Sequence, residues 1–378
     1  MKIRYFDHAA TTPVREEVIE AMIPYFGKEY GNASVMYSLG RNARRAINKA
    51  REQVAEALNC SATEIYFTSC GSESDNLAIK GYAYENKDKG NHIITSKIEH
   101  HAALDACKTL EKQGFRVTYL NVDKDGKIDL EELKNSICNE TILISIMYAN
   151  NEIGTIEPIE EIGKIAKEKG ITFHTDAVQA IGNVKIDVQK LNIDMLSLSG
   201  HKFYAPKGVG ALYVRDGIKF AKLQDGGEQE NNKRGGTENV AEIVGLGKAI
   251  QLIYSEFDEY NARLKMLRDY FLSEIQKNLD GIKINGNLKN RLPGNANISF
   301  EGIDGSELLF KLDELGICAS AGSACSTSNP EPSHVLTAIG LDSKYINGTL
   351  RITFGRDNKK DDVNYLVNSL KEIINKKL

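Results

Sequence analysis

Residues 171–202 read ITFHTDAVQAIGNVKIDVQKLNIDMLSLSGHK. Two short apolar runs stand out, Ile171–Phe173 and Met195–Leu198. Each has the length and composition of a buried strand. The first ends in His174-Thr175-Asp176, the second in Ser199-Gly200-His201-Lys202. A carboxylate and an amine, 26 positions apart, are thus delivered to strand C-terminal ends, where open α/β sheets bind ligands. A lone Lys is ordinarily a solvated charge, and a lone Asp after a strand is ordinarily a helix cap. Their joint placement, with a hydroxyl, a glycine and a histidine beside the lysine, points to a site. A lysine that forms an imine and an acid that partners a pyridinium nitrogen together suggest pyridoxal 5'-phosphate.

Working outward, apolar runs recur at Ile65–Thr68, His92–Thr95, Val117–Leu120, Ile142–Tyr148 and Val209–Val214. Helical periods intervene near Ser74–Glu85, Ala102–Gln113 and Ile159–Lys169. This βα alternation predicts a right-handed, mostly parallel seven-stranded sheet. Before it, Thr12 with Pro13 is expected to open a helix. A longer helix is expected over Ser38–Leu58, with Ala43, Ile47, Ala50, Val54 and Leu58 on one face. After the Gly226–Gly236 loop, a helical stretch over 239–278 is expected to break near 254–258. Beyond Gly281 short strands (Asn297–Phe300, Ile317–Ala319, Leu350–Phe354) mix with helices near 306–315, 332–339 and 360–376. The fold class is therefore α/β, with a large domain over 13–257 and a smaller α+β domain from 1–12 and 258–378. Asn121–Gly126 with Glu132 mimics part of a calcium loop, but a strand precedes it where such a loop needs a helix.

The chain has 378 residues, 41% hydrophobic and 26% charged, with a net charge of −4. That length allows more than one domain, and the small charge favours neither nucleic acid nor an anionic membrane. No apolar run is long enough to span a bilayer. The six cysteines at 60, 70, 107, 138, 318 and 325 form no CxxC pair. This argues against a zinc cage or disulfide framework and fits a reducing cytoplasm.

A phosphate needs an anion cradle, and Ser69-Cys70-Gly71-Ser72-Glu73 supplies one where a strand meets a helix start. The alternative is an ordinary capping turn. Ser199 and His201 add a hydroxyl and a ring N–H beside Lys202. His100 opens a helix at the same sheet edge, where it can stack on a cofactor ring and carry protons. Its neighbour His101 better fits a simple helix-start residue. Asn150 and Gln179 are either hydrogen-bonding partners of the ring or satisfied loop amides. Cys325 lies in Ser320-Ala-Gly-Ser-Ala-Cys-Ser-Thr-Ser328, with no apolar neighbours to be buried among, which favours a reactive thiol on an exposed loop. Arg351 is a candidate fork for a substrate carboxylate, or else a surface strand arginine.

Across essentially the whole chain, these residues resemble the NifS/IscS-type cysteine desulfurases of the class V aminotransferase family. The motifs are YFDHAATTP, YGNAS, FTSCGSESDNLA, EHHAALD, YANNEIG, HTDAVQAIG, SLSGHKFYAPKGVG, RGGTEN, SAGSACS, PSHVL and LRITFGR. The resemblance implies a fold-type I pyridoxal-phosphate transferase. Lys202 would bond the cofactor, Asp176 hold its ring nitrogen, His100 stack on it, and Asn150 and Gln179 position it. Gly71, Ser72, Ser199 and His201 would hold the phosphate, with Thr237 reaching across a homodimer interface. Cys325 would take sulfur from L-cysteine as a persulfide and pass it to an iron–sulfur scaffold or a thiolation partner, serving at most as a transient cluster ligand. A selenocysteine lyase or another β-eliminating enzyme is the alternative, and neither strictly needs Cys325. The chain departs from the family pattern at Ala33, Val35 and Tyr37, at Cys70, and over Gln229–Lys233.

Overall fold

The structure is a computed structural model that describes residues 2–321 and 332–375. Its centre is a seven-stranded sheet. In chain order the strands are β2 (Ile65–Thr68), β3 (His92–Ser96), β4 (Arg116–Leu120), β5 (Thr141–Ser145), β6 (Thr172–Asp176), β7 (Met195–Ser199) and β8 (Gly210–Val214), after a short β1 (Arg4–Tyr5) outside it. The spatial order is β2-β8-β7-β6-β5-β3-β4. Neighbours from β7 across to β4 run parallel, and β8 is antiparallel to both β7 and β2. Loop length explains the exception. Only residues 200–209 join β7 to β8, too few for the crossover that a parallel strand requires. That short return holds Lys202.

Helices cover the sheet. Helix Ser38–Leu58 lies on Val240–Ser255 and buries Ala43, Ile47, Ala50, Val54 and Leu58. The two backbones come very close, since a Cβ at Gly247 would fall 2.6 Å from Ala50 Cα. Each fully buried Val, Ile or Leu in this seam contributes about 1.5–3 kcal/mol. Residues 71–85 form a continuous helix with a π turn at Leu77–Gly81. The long helical stretch breaks at Glu256, between Val240–Ser255 and Phe257–Asn278.

A second sheet, of order β12-β13-β10-β9, is antiparallel: β9 Ile282–Ile284, β10 Asn295–Phe300, β12 Ser320–Ala321 and β13 Thr349–Thr353. Its core joins Phe6, Phe271, Ile298, Leu350 and Leu366. β1 pairs with β11 (Ile317–Cys318), and Asp7 bridges to Thr353, so the N-terminal arm belongs to this second layer. The first helix starts at Glu16, not at Pro13, and Thr12 is no cap. Its Oγ1 accepts from Tyr204 N (2.8 Å) and donates to His201 O (2.9 Å). The lysine turn has recruited it.

Candidate active site

Where β6 and β7 end, the sheet, the N-terminal arm and β13 enclose a cavity of ≈ 490 Å³, within the usual range for small-molecule sites. Lys202 closes a short turn, Gly200–Lys202, directly after β7. Its Nζ donates to Ala9 O (2.6 Å) and Ala10 O (2.9 Å). The arm is pinned in turn by Gln179 Nε2 to Ala9 O (3.0 Å), by Thr11 Oγ1 with His201 Nδ1 (3.1 Å), and by Ala9 N to Thr353 Oγ1 (2.9 Å). Two residues past the lysine, Tyr204 sits at φ 70°, a region that non-glycine residues seldom adopt. Its hydroxyl meets Tyr260 OH and accepts from Arg356 N, which holds that conformation in place.

Asp176 ends β6, buried, with Oδ1 accepting from Val178 N (2.9 Å). Burial raises its pKa, while His100, the Val178 amide and Lys202 act the other way. Beneath it, His174 lies wholly buried between Ser145 Oγ (2.9 Å) and Ser197 Oγ (3.0 Å). Burial pushes its pKa down to about 3, so it is neutral. Asp75 also lines the cavity, and its buried Oδ1 has no hydrogen-bond partner. Burial first, then the Asp176 charge, drives its pKa well above the usual carboxylate range. Burial and the neighbouring carboxylate thus both favour the neutral form of Asp75.

His100 is the N-cap of helix His101–Glu111, with Nδ1 accepting from Ala102 N (3.1 Å). Neutral His100 must then carry its proton on Nε2. Burial lowers its pKa; Asp176 opposes this and Lys202 adds to it. His101 is the helix-start residue expected of it, the first of this helix and exposed at the cavity, while His100 supplies the cap.

Gly71, Ser72, Ser199 and His201 all line the cavity. A Cβ at Gly71 would sit 2.7 Å from Val178 Cγ2 and 3.4 Å from Ser199 Cβ, so only glycine lets this helix start lie against the sheet edge. Arg351, 2% exposed, also reaches the cavity, and the surface alternative falls. Its Nη2 donates to Asp7 Oδ1 (2.8 Å) and its Nη1 to Asn151 O (3.3 Å), while Nε is buried without a partner.

The Asn150 expectation needs correction. Its Oδ1 accepts from Glu152 N and Ile153 N, and its Nδ2 donates to Ile98 O, so the amide is consumed in shaping a turn. Asn151 lines the cavity instead. Two adjacent asparagines carry no sequence signal for which faces inward. Thr237 is exposed and lines a different, smaller cavity with Ser69 and Arg234, so a single chain does not bring it to Lys202. Cys325 lies outside the described residues. Among those residues no cluster could hold a metal ion, and no helix is long and apolar enough to cross a membrane.

An amine, a buried acid, a glycine-opened helix start and two orphaned buried polar atoms on one cavity fit pyridoxal phosphate. The family comparisons agree with this geometry. The aminotransferase class-V family matches residues 4–366. A curated relative from Methanosarcina thermophila, described as cysteine desulfurase IscS, is 56% identical over 375 residues, covering 99% of this chain and 93% of that protein. Among solved structures, a NifS-like protein superposes with a TM-score of 0.94 at 38% identity, covering 99% of this chain and 100% of the other. A structure described as SspA in complex with cysteine gives 0.84 at 42% identity, covering 93% and 99%.

Proposed function

This chain belongs to the aminotransferase class-V family and is a cysteine desulfurase, and from that premise we propose what each residue of the cavity does. The observation that supports the reading is the convergence of Lys202, Asp176, His100 and Arg351 on one cavity. The cofactor is pyridoxal 5'-phosphate, which when bound supplies the electron sink for charge developing at the substrate Cα. Lys202 would hold it through its amine and would move the proton of the substrate Cα. Asp176 would hold the ring nitrogen and favour its protonated form. His100 offers its Nε2–H from the fixed cap geometry. Gly71, Ser72, Ser199 and His201 take the phosphate, and Gln179 and Asn151 border the ring. Arg351 binds the carboxylate of L-cysteine.

Cys325 acts as a thiolate, since the thiol is a poor nucleophile. An S–S bond forms to the substrate sulfur as the C–S bond breaks. The electron pair stays with carbon, which is then protonated to give L-alanine. The resulting persulfide passes to an iron–sulfur scaffold or another thiolation partner. The working form is a cytoplasmic homodimer in which Thr237 of each chain serves the other's phosphate site. Residues 13–257 form the large domain, and 1–12 with 258–378 the small one. With L-cysteine and a reductant, purified protein yields sulfide and alanine in equal amounts, and Lys202→Ala yields neither. Lys202→Ala protein that still produced both at the wild-type rate would refute the assignment.

A further inference from the structure

Four imidazoles line the cavity, and the reaction as written uses only His100 and His201. The ring centroids of His100 and His101 are 6.4 Å apart, and those of His101 and His334 are 4.9 Å apart. His334 opens the short helix His334–Ala338. Ser333 caps it through Leu336 N and donates from Oγ to Glu152 Oε2 (2.6 Å). Val335 and Leu336 are buried against Ile98, Met147 and Ile153.

The His334 ring itself is tied to the wall. Its Nε2 lies 3.0 Å from the backbone carbonyl of Glu99, and a carbonyl only accepts, so Nε2 carries the proton. Neutral His334 must then present an unprotonated Nδ1, which has no hydrogen-bond partner among the described residues. One residue along the wall, His100 has the opposite tautomer, because Ala102 N–H occupies its Nδ1. The backbone on either side of residue 100 thus fixes one donor nitrogen and one acceptor nitrogen on the same cavity. Burial lowers the His334 pKa and favours the neutral ring; the Glu99 carbonyl opposes this, while His101, His100 and Lys108 on the facing helix add to it.

We infer that His334 is a specificity residue whose Nδ1 accepts the S–H of the bound L-cysteine and aims its sulfur. The inference rests on the desulfurase reading of this cavity. The substrate's carboxylate and amine are claimed by Arg351 and by the lysine site, which leaves the thiol as the group without a partner. A thiol is a donor that needs an acceptor, and His334 supplies one.

The test uses the holoenzyme carrying Cys325→Ala, so that bound L-cysteine is not consumed. Binding of L-cysteine and of L-alanine is followed by visible absorption and by calorimetry. His334→Gln places an amide N–H where Nε2 was, so the bond to Glu99 can persist while the acceptor at the δ position is lost. It should weaken L-cysteine about 3- to 10-fold, the range of one hydrogen bond, and leave L-alanine unchanged. His334→Asn, with an amide oxygen at the δ position, should keep most of the preference for cysteine. Lowering the pH should erode that preference in the parent and not in His334→Gln, because protonation of Nδ1 removes the acceptor. Equal loss for both amino acids, or no loss for cysteine, would overturn the inference. A parent protein that responds to neither amino acid would overturn the functional reading, and this inference with it.

Discussion

Replacing Arg351 with Met separates two jobs of one side chain. Arg351 is 2% exposed and donates to Asp7 Oδ1 at 2.8 Å. Removing one partner of a buried pair costs about 3–5 kcal/mol, because the other charge is left without compensation. Asp7 is 14% exposed on its side chain and keeps the Ser320 hydroxyl at 2.6 Å, so the lower end, about 3 kcal/mol, is expected from that range. Urea unfolding at constant slope measures this loss as a lower midpoint. Arg351→Met also removes a charged hydrogen-bonding partner from the substrate carboxylate, worth about 1.5–3 kcal/mol, so KM for L-cysteine should rise roughly 10- to 100-fold. The double variant Asp7→Leu/Arg351→Met tells the two effects apart. Exchanging the whole pair for apolar groups should recover most of the stability, yet KM should stay high. A wild-type KM in Arg351→Met, or a KM that recovers with stability in the double variant, would refute the carboxylate role.

Gly71→Ala brings a methyl within 2.7 Å of Val178 Cγ2; such overpacking costs about 1–3 kcal/mol and should appear as weaker cofactor retention in an absorbance titration. Asn150→Ala should destabilise the protein by about 1–3 kcal/mol, since Glu152 N and Ile153 N lose their buried acceptor. Asn151→Ala should leave the unfolding midpoint almost unchanged and weaken cofactor or substrate binding instead; the reverse pattern would undo the correction. The His174 pKa lies near 3 in the folded protein, against about 6.5 when unfolded. Only the unfolded chain takes up that proton as pH falls below about 6.5, so stability present above that pH is lost by up to about 1.4 kcal/mol per unit. His174→Gln removes this dependence, so the wild-type advantage should shrink steadily between pH 7 and pH 4; parallel stability curves would contradict it.

The seven strands of the central sheet were legible because each is a short apolar-rich run, buried along its whole length in all but the edge strands β2 and β4, and a run of that kind survives in the sequence alone. The break at Glu256 was legible for a similar local reason. The direction of β8 was available from the ten-residue return 200–209, had its length been weighed against what a crossover needs. Other features depend on contacts between residues far apart in the chain. Thr12 reads as a helix cap until the lysine turn, 190 positions on, takes its hydroxyl. Tyr204 gives no local sign of its positive φ, which Tyr260 and the Arg356 amide enforce. Asp75 had a usable signal: it lies three positions after Ser72 and so shares its helix face. His334 sat within a recognised motif, but its tautomer depends on a carbonyl 235 residues away.

The central claim is that sulfur leaves L-cysteine through Cys325. Wild-type and Cys325→Ala proteins are given L-cysteine and a reductant, while visible absorption, sulfide and alanine are recorded together. The account predicts that both proteins show the cofactor's visible absorption, that the wild type forms sulfide and alanine in a 1:1 ratio, and that Cys325→Ala forms neither. Undiminished sulfide and alanine from the Cys325→Ala protein would contradict the account and favour direct elimination from the cavity.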